Sequence, residues 1–164
     1  MESVKRLRRR CGEVVRAALP PSPRFAGIDP DSVTEALLSS LRFRLFEDVR
    51  PALVRLSRGG RRLVVVSNWD ASLHAVLARL GVAELLDGII TSAEAGERKP
   101  APGIFERALA AAGVDRSRAL HVGDSLEEDV VGARAARIEP VLVRRDGSAG
   151  PAGVATIASL AELS

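Results

Sequence analysis

The stretch His121-Val122-Gly123-Asp124-Ser125-Leu126-Glu127-Glu128-Asp129 closes an apolar run with Gly-Asp and sets a second acid five residues later. An apolar strand that ends in a carboxylate delivers it to the C-terminal edge of a sheet, where open α/β sheets bind ligands. Asp124 and Asp129 are therefore candidates for a divalent-metal site. Two earlier segments point the same way. Leu63-Val64-Val65-Val66-Ser67-Asn68-Trp69-Asp70 is an apolar strand finishing in a hydroxyl and an amide, and Gly96-Glu97-Arg98-Lys99-Pro100 offers an ammonium. Hydroxyl, ammonium and acid pair, in that order, suit a phosphate held against Mg2+. Of the 24 basic residues only Lys5 and Lys99 are lysine, so the chain uses arginine where a generic positive charge suffices. A compact ammonium approaches a phosphate oxygen and a carboxylate together in a way that a planar guanidinium does not.

The elements needed to position these groups follow from periodicity and punctuation. Helices are predicted over 2–18 and 31–41, separated by a loop containing Pro20, Pro21 and Pro23, and over 48–58, stopped by Gly59-Gly60. The continuous β-branched run 63–66 reads as a strand covered on both faces. A helix over 71–80 ends at Gly81, a strand covers 88–91, and a helix over 104–112 ends at Gly113. A strand over 119–122 leads to Asp124, a helix is predicted over 126–137 and a last strand over 140–143. The glycine-rich tail reads as loop before a short terminal helix. Strands alternating with helices imply an α/β fold with parallel strands and right-handed crossovers.

Composition bounds the rest. With 164 residues, 46% of them hydrophobic, the chain can bury one sizeable core. No apolar run approaches the ~20 residues of a membrane span, so no membrane partner is expected. A single cysteine, Cys11, cannot form an internal disulfide, which fits a cytoplasmic location. Net charge is +3 and dispersed, apart from Lys5, Arg6, Arg8, Arg9 and Arg10, which read as a solvated helix face. Aromatic residues are 3% with no tyrosine, so no stacking platform for bases exists and nucleic acid is not an expected partner.

From about Leu45 to Gly147, on the S-N-W-D segment, Lys99-Pro100 and the G-D-x-x-x-x-D segment, the chain resembles the haloacid dehalogenase-like (HAD) hydrolase superfamily. The resemblance is to its subfamily IA, with S-N-W-D similar to the REG-2-like group. It implies a Rossmann-like parallel sheet flanked by helices, with a partial helical cap over residues 1–46 and the core over 47–164. It also implies a Mg2+-dependent phosphatase acting on a small phosphorylated metabolite through an aspartyl-phosphate. On that resemblance Asp124 would bind the metal, Asp129 would bind it or orient the lysine, Lys99 would neutralise charge, and Ser67 and Asn68 would hold a phosphoryl oxygen.

One expected part is not found. The family's nucleophilic aspartate ends a first strand, central in the sheet, between the strands that end here at Ser67 and Gly123. Asp29-Pro30-Asp31-Ser32-Val33 fits that motif by letter but follows a proline-rich loop, and Asp31 reads as a helix N-cap instead. Four readings follow: a phosphatase whose gene start is misassigned or truncated, a non-catalytic fragment or pseudoenzyme that binds phosphate, a dehalogenase-type hydrolase, and a signalling receiver. A receiver places its acids before the hydroxyl and lysine, whereas Asp124 follows both, which disfavours it. Substrate identity and oligomeric state are left open. Two half-sheets without their central strand would expose unpaired edges, so the 164-residue chain is expected to self-associate or dissolve poorly. A sharp monomer peak in size-exclusion chromatography, with cooperative melting, would refute this.

Overall fold

The computed structural model describes residues 2–25 and 27–164. Met1 and Ala26, and the side chains of residues 2–5, 7, 8 and 38, among them Lys5 and Arg8, lie outside that description. The chain separates into two compact units, Met1–Phe43 and Arg44–Ser164.

The first unit is a pair of helices, α1 (Glu2–Ala18) and α2 (Pro30–Ser40). Gly12 lets them touch, because a Cβ there would overlap the Pro30 carbonyl and come 2.6 Å from Thr34 Oγ1. Arg6, Arg9, Arg10 and Cys11 are exposed, as a solvated face requires. The N-cap of α2 is Asp29 rather than the expected Asp31: Asp29 Oδ2 accepts from the Ser32 N–H at 3.1 Å, and Asp31 falls in the first turn. Pro30 explains the two-residue difference, since proline is best placed at the first helical position, directly after the cap.

The second unit alternates strands and helices. α3 (Val49–Arg58) leads to β1 (Val64–Ser67), α4 (Ser72–Arg79), β2 (Gly88–Thr91) and the short α5 (Ser92–Ala95). α6 (Pro102–Ala112), β3 (Leu120–Gly123), a π-helical turn (Leu126–Val131) and α7 (Gly132–Ala135) follow. β4 (Glu139–Val143) and β5 (Ala155–Ile157) complete the order. All strand pairs are parallel and form two sheets, β1–β2 and β3–β4–β5. The core is built from Ile104 and Phe105 of α6 against Ala95, Ala133, Ala136 and Ile138.

Two expectations are corrected, and a third contact is new. The tail is not simply loop: Ala155–Ile157 pairs with β4, because Val154 to Ile157 offers a short apolar strand beside one that is buried from Pro140 to Val143. The helix expected over 126–137 is a π turn followed by one short α-helix, since the Val130 N–H reaches back to the Ser125 carbonyl at 3.2 Å. The Asp48 carboxylate does not cap α3. Its Oδ2 accepts from Arg145 Nη1 at 2.6 Å, Ser159 Oγ at 2.7 Å and the Leu160 N–H at 2.6 Å, which ties the tail to the start of α3. The Arg145 bond first, and then those of Ser159 and Leu160, outweigh burial and lower its pKa to about 2.

α7 ends in a Schellman arrangement: the Arg137 N–H bonds the Arg134 carbonyl at 2.9 Å and the Ile138 N–H the Ala133 carbonyl at 2.8 Å. The left-handed residue of that motif is Arg137, at φ 60°, where glycine is ordinarily favoured. Its side chain is exposed. Arg137→Gly should therefore stabilise the fold by about 1 kcal/mol, read as a rise in Tm of about 2–4 °C. An unchanged or lower Tm would show that the arginine carries a compensating interaction.

Candidate active site

Residues that follow the C-terminal ends of β1 and β3, together with the loop between α5 and α6, meet through a chain of hydrogen bonds. At the end of β1, Asn68 faces the backbone of Lys99. Its Nδ2 donates to the Lys99 carbonyl at 3.1 Å and its Oδ1 accepts from the Lys99 N–H at 2.8 Å. The Lys99 side chain, 10% exposed, then donates from Nζ to Asp129 Oδ1 at 2.6 Å. Asp129 is 4% exposed. It also accepts from His121 Nε2–H at 2.8 Å, and its second oxygen accepts from the Ser125 N–H at 3.0 Å. Burial by itself would raise the Asp129 pKa. The His121, Lys99 and Ser125 hydrogen bonds, with the Lys99 charge, override it and hold the carboxyl well below the usual carboxylate range.

Local sequence explains why Asp129 reaches this position. Ser125 opens the turn, its Oγ accepting from the Glu128 N–H at 3.1 Å. The π winding that follows carries an extra residue per turn, a feature that recurs at functional sites. Gly123 leaves the space: a Cβ there would overlap the Asp129 carboxylate carbon. Gly132 seats the other end of the turn, since a Cβ on it would lie 2.7 Å from Phe105 Cε2 and 3.0 Å from Pro100 Cα. Arg98 Nη2 and Glu128 Oε1, 2.8 Å apart, pair the loop with the turn on the outside.

The remaining residues singled out from sequence distribute around this chain. Ser67 ends β1 and is half-buried. Asp124 is exposed directly after β3. Asp70 Oδ1 accepts from the Ser72 N–H at 2.7 Å, and Trp69 Nε1 donates to Ser72 Oγ at 3.1 Å, so both also serve the start of α4. His74 lies on α4, 46% exposed, with Nε2 3.1 Å from Glu94 Oε2. Asp29 and Asp31, by contrast, sit at a helix start and not at the end of a strand.

Oxygen donors are what a hard cation requires, and the site offers them unequally. Both Asp129 oxygens are engaged, whereas Asp124 is exposed. Among the described residues no group of three His, Cys, Asp or Glu side chains converges to hold a metal ion. That fits Mg2+ only as this ion is often bound, through one or two carboxylates with water and substrate phosphate completing its shell.

His121, which the sequence motifs do not mark as part of the site, is a direct partner of Asp129 and packs edge-on against Phe105, ring centroids 4.9 Å apart. A signal was available. Residues two apart on a strand share a face, so His121 lies on the face of Gly123, the one over which Asp129 closes.

Known proteins resemble this chain over most of its length. A family model described as haloacid dehalogenase-like hydrolase matches residues 19–137. The haloacid dehalogenase-like hydrolase domain-containing protein 3 of Bos taurus is 38% identical over 101 residues, 62% of this chain and 40% of that protein. A ribulose-1,5-bisphosphate 5-phosphatase of Halopiger xanaduensis is 36% identical over 99 residues, 60% of this chain and 41% of that protein. The chain thus spans about two-fifths of the length of these relatives. The crystal structure of a 2-haloacid dehalogenase from Pseudomonas syringae superimposes with a TM-score of 0.76 at 30% identity, covering 98% of this chain and 69% of the other.

Asp129→Asn keeps the shape of the carboxylate and removes its charge, leaving Lys99 buried without a counter-ion. The expected cost is about 3–5 kcal/mol, measured by denaturant unfolding. The pH dependence follows from the lowered pKa. The Asp129 contribution is complete above its unfolded value near pH 4 and is lost as pH falls through the folded value. Wild-type stability should drop below pH 4 more steeply than that of the variant.

Proposed function

The chain belongs to the haloacid dehalogenase-like hydrolase family, and from that premise we propose that its site grips the phosphoryl group of a small phosphorylated metabolite beside Mg2+. The observation that carries the reading is the buried Lys99 ammonium, which spends one donor on Asp129 and sits in a loop fixed by Asn68. An ammonium has three donors, so two are left for phosphoryl oxygens. The Ser67 hydroxyl and the Asn68 backbone N–H, at the end of β1, take the remaining oxygens. We assign Asp129 to orienting Lys99 and keeping it paired, and Asp124 to holding Mg2+. When bound, that ion screens charge developing on the phosphoryl oxygens.

The reaction class expected of this site is phosphomonoester hydrolysis, with attack by a nucleophilic carboxylate that is not identified among the described residues. Asp29 caps α2 and Asp31 lies in its first turn, which favours, for this chain as it stands, a second reading in which the site binds phosphate without turning it over. The relative from Halopiger xanaduensis, named a bisphosphate phosphatase, supports phosphate over halide. Dehalogenation is the minor alternative, supported by the Pseudomonas syringae likeness. Residues 1–46 are taken as a partial cap and 47–164 as the core, in a cytoplasmic protein.

The test is calorimetric titration of inorganic phosphate into the 164-residue chain with and without Mg2+, alongside hydrolysis of p-nitrophenyl phosphate. Binding is expected and should depend on Mg2+. Lys99→Met should weaken it at least about tenfold, the equivalent of one charge-assisted hydrogen bond, and Asp124→Asn should remove the Mg2+ dependence. Turnover by this chain alone would overturn the non-catalytic reading, and unchanged binding in Lys99→Met would overturn the site.

A further inference from the structure

The Asp129 carboxylate is held by Lys99, by the Ser125 N–H and by His121, and only His121 has no part in the phosphate reading. Its place is set by the strand that carries it. β3 pairs with β4 in the register His121 to Pro140. Residues two apart on a strand share a face, so the ring stands beside the space over Gly123 that the carboxylate occupies. The side chain is 12% exposed, and it packs edge-on against Phe105, which is fully buried. A ring gripped between a paired strand and a core phenylalanine is a firm support for a hydrogen bond.

Asp129 Oδ1 accepts twice, from Lys99 Nζ at 2.6 Å and from His121 Nε2 at 2.8 Å. An ionised carboxylate has no proton to give, so Nε2 carries the hydrogen of this bond. It does so in the imidazolium and in one neutral tautomer alike, and the bond exists in both charge states of the ring. Each carboxylate oxygen offers about two lone-pair sites, and on Oδ1 one goes to each donor. Lys99 is thereby confined to one side of the oxygen. Without His121 the second site opens, the ammonium can pass between the two, and the carboxylate can turn about its broad terminal torsion. The consequence reaches the rest of the ammonium. With Cε held by a buried side chain and one N–H held by Asp129, the tetrahedral group has no rotation left, so its other two donors point in set directions.

We propose that His121 is a positioning residue of this site: it holds Asp129 Oδ1 on the side that Lys99 does not use, and so fixes the direction in which Lys99 presents its two remaining donors to a phosphoryl group. The last clause rests on the phosphate reading, whereas the hold of His121 on the ammonium does not. Phe105, His121, Asp129 and Lys99 then form one line from the hydrophobic core to the anion, each set in place by the one before.

The experiment is side-chain NMR on the full chain with lysine and histidine labelled by nitrogen-15, together with titration of inorganic phosphate in Mg2+. Lys5 and Lys99 are the only lysines and His74 and His121 the only histidines, so Lys99→Met and His121→Gln assign the two signals by removing them. In the wild-type chain His121 Nε2 should carry a proton. His121→Leu, which fills much of the space without a donor, should shift the Lys99 ammonium resonance, speed exchange of its protons with water and weaken phosphate binding roughly tenfold, as for one charge-assisted hydrogen bond. His121→Gln, whose amide N–H can stand where Nε2–H stands, should restore both. An unprotonated Nε2 in the wild-type chain would overturn the proposal with no substitution made, so a His121→Leu chain that fails to fold does not shield it. A Lys99 signal unmoved in a folded His121→Leu chain would overturn it, as would one that His121→Gln leaves displaced, since ring volume and not the bond would then be at work. Phosphate binding unchanged in His121→Leu despite a displaced signal would overturn the claim on donor direction. A wild-type chain that binds no phosphate, with a Lys99 signal that still moves in His121→Leu and returns in His121→Gln, would overturn the phosphate reading and uphold the hold of His121 on Lys99.

Discussion

An ammonium and a carboxylate buried against each other set the terms for everything around them. Removing Lys99 and Asp129 from water costs several kcal/mol for each ion, and their attraction repays that only where the other lone pairs and protons are satisfied. Here Asp129 takes further bonds from His121 and the Ser125 N–H. The pair is poor evidence for stability in its own right. Its worth is positional: Lys99 has one arrangement in which its charge is compensated, and that arrangement holds it where the ends of β1 and β3 converge. Gly123, Ser125, Gly132 and the π turn all follow from the need to bring one carboxylate into that place.

Much of this was legible in the residues themselves. β1 and β2 were marked by β-branched runs and β3 and β4 by short apolar stretches, and Asp124, Lys99 and Ser67 by standing where such runs or loops end. The rest depended on contacts between segments distant in sequence. β5 needs the buried flank of β4 before three weakly apolar residues can count as a strand. The role of Asp48 is invisible to local rules, which see only the next turn, because its partners lie about a hundred residues further on. The π turn has no signature in periodicity, because one extra residue shifts a helical pattern without breaking it. His121 was not marked for a related reason: a strand histidine gains its role only when a carboxylate from another element closes over it.

The two sheets carry an imbalance that composition alone does not reveal. Each is apolar enough to be the middle of something larger, and neither is covered as its sequence requires. The helices meet this in part, Phe105 and Leu109 of α6 facing the gap, but side chains cannot pair backbone edges. The molecule therefore combines a polar corner, in which both Asp129 oxygens are engaged, with an apolar seam between the two sheets.

The Asn68 amide has a bearing on that seam. Giving one donor and taking one acceptor from the same residue's backbone, it imitates a rung of β-ladder with a side chain. The loop that carries Lys99 is thus annexed to β1 as though it were a strand. Whatever shifts Ser67 by a fraction of an ångström must drag the ammonium with it, so a group held at the hydroxyl and a group held at the lysine are gauged against one rigid ruler. A side chain of the same size without both functions, such as leucine, would leave the two to drift separately.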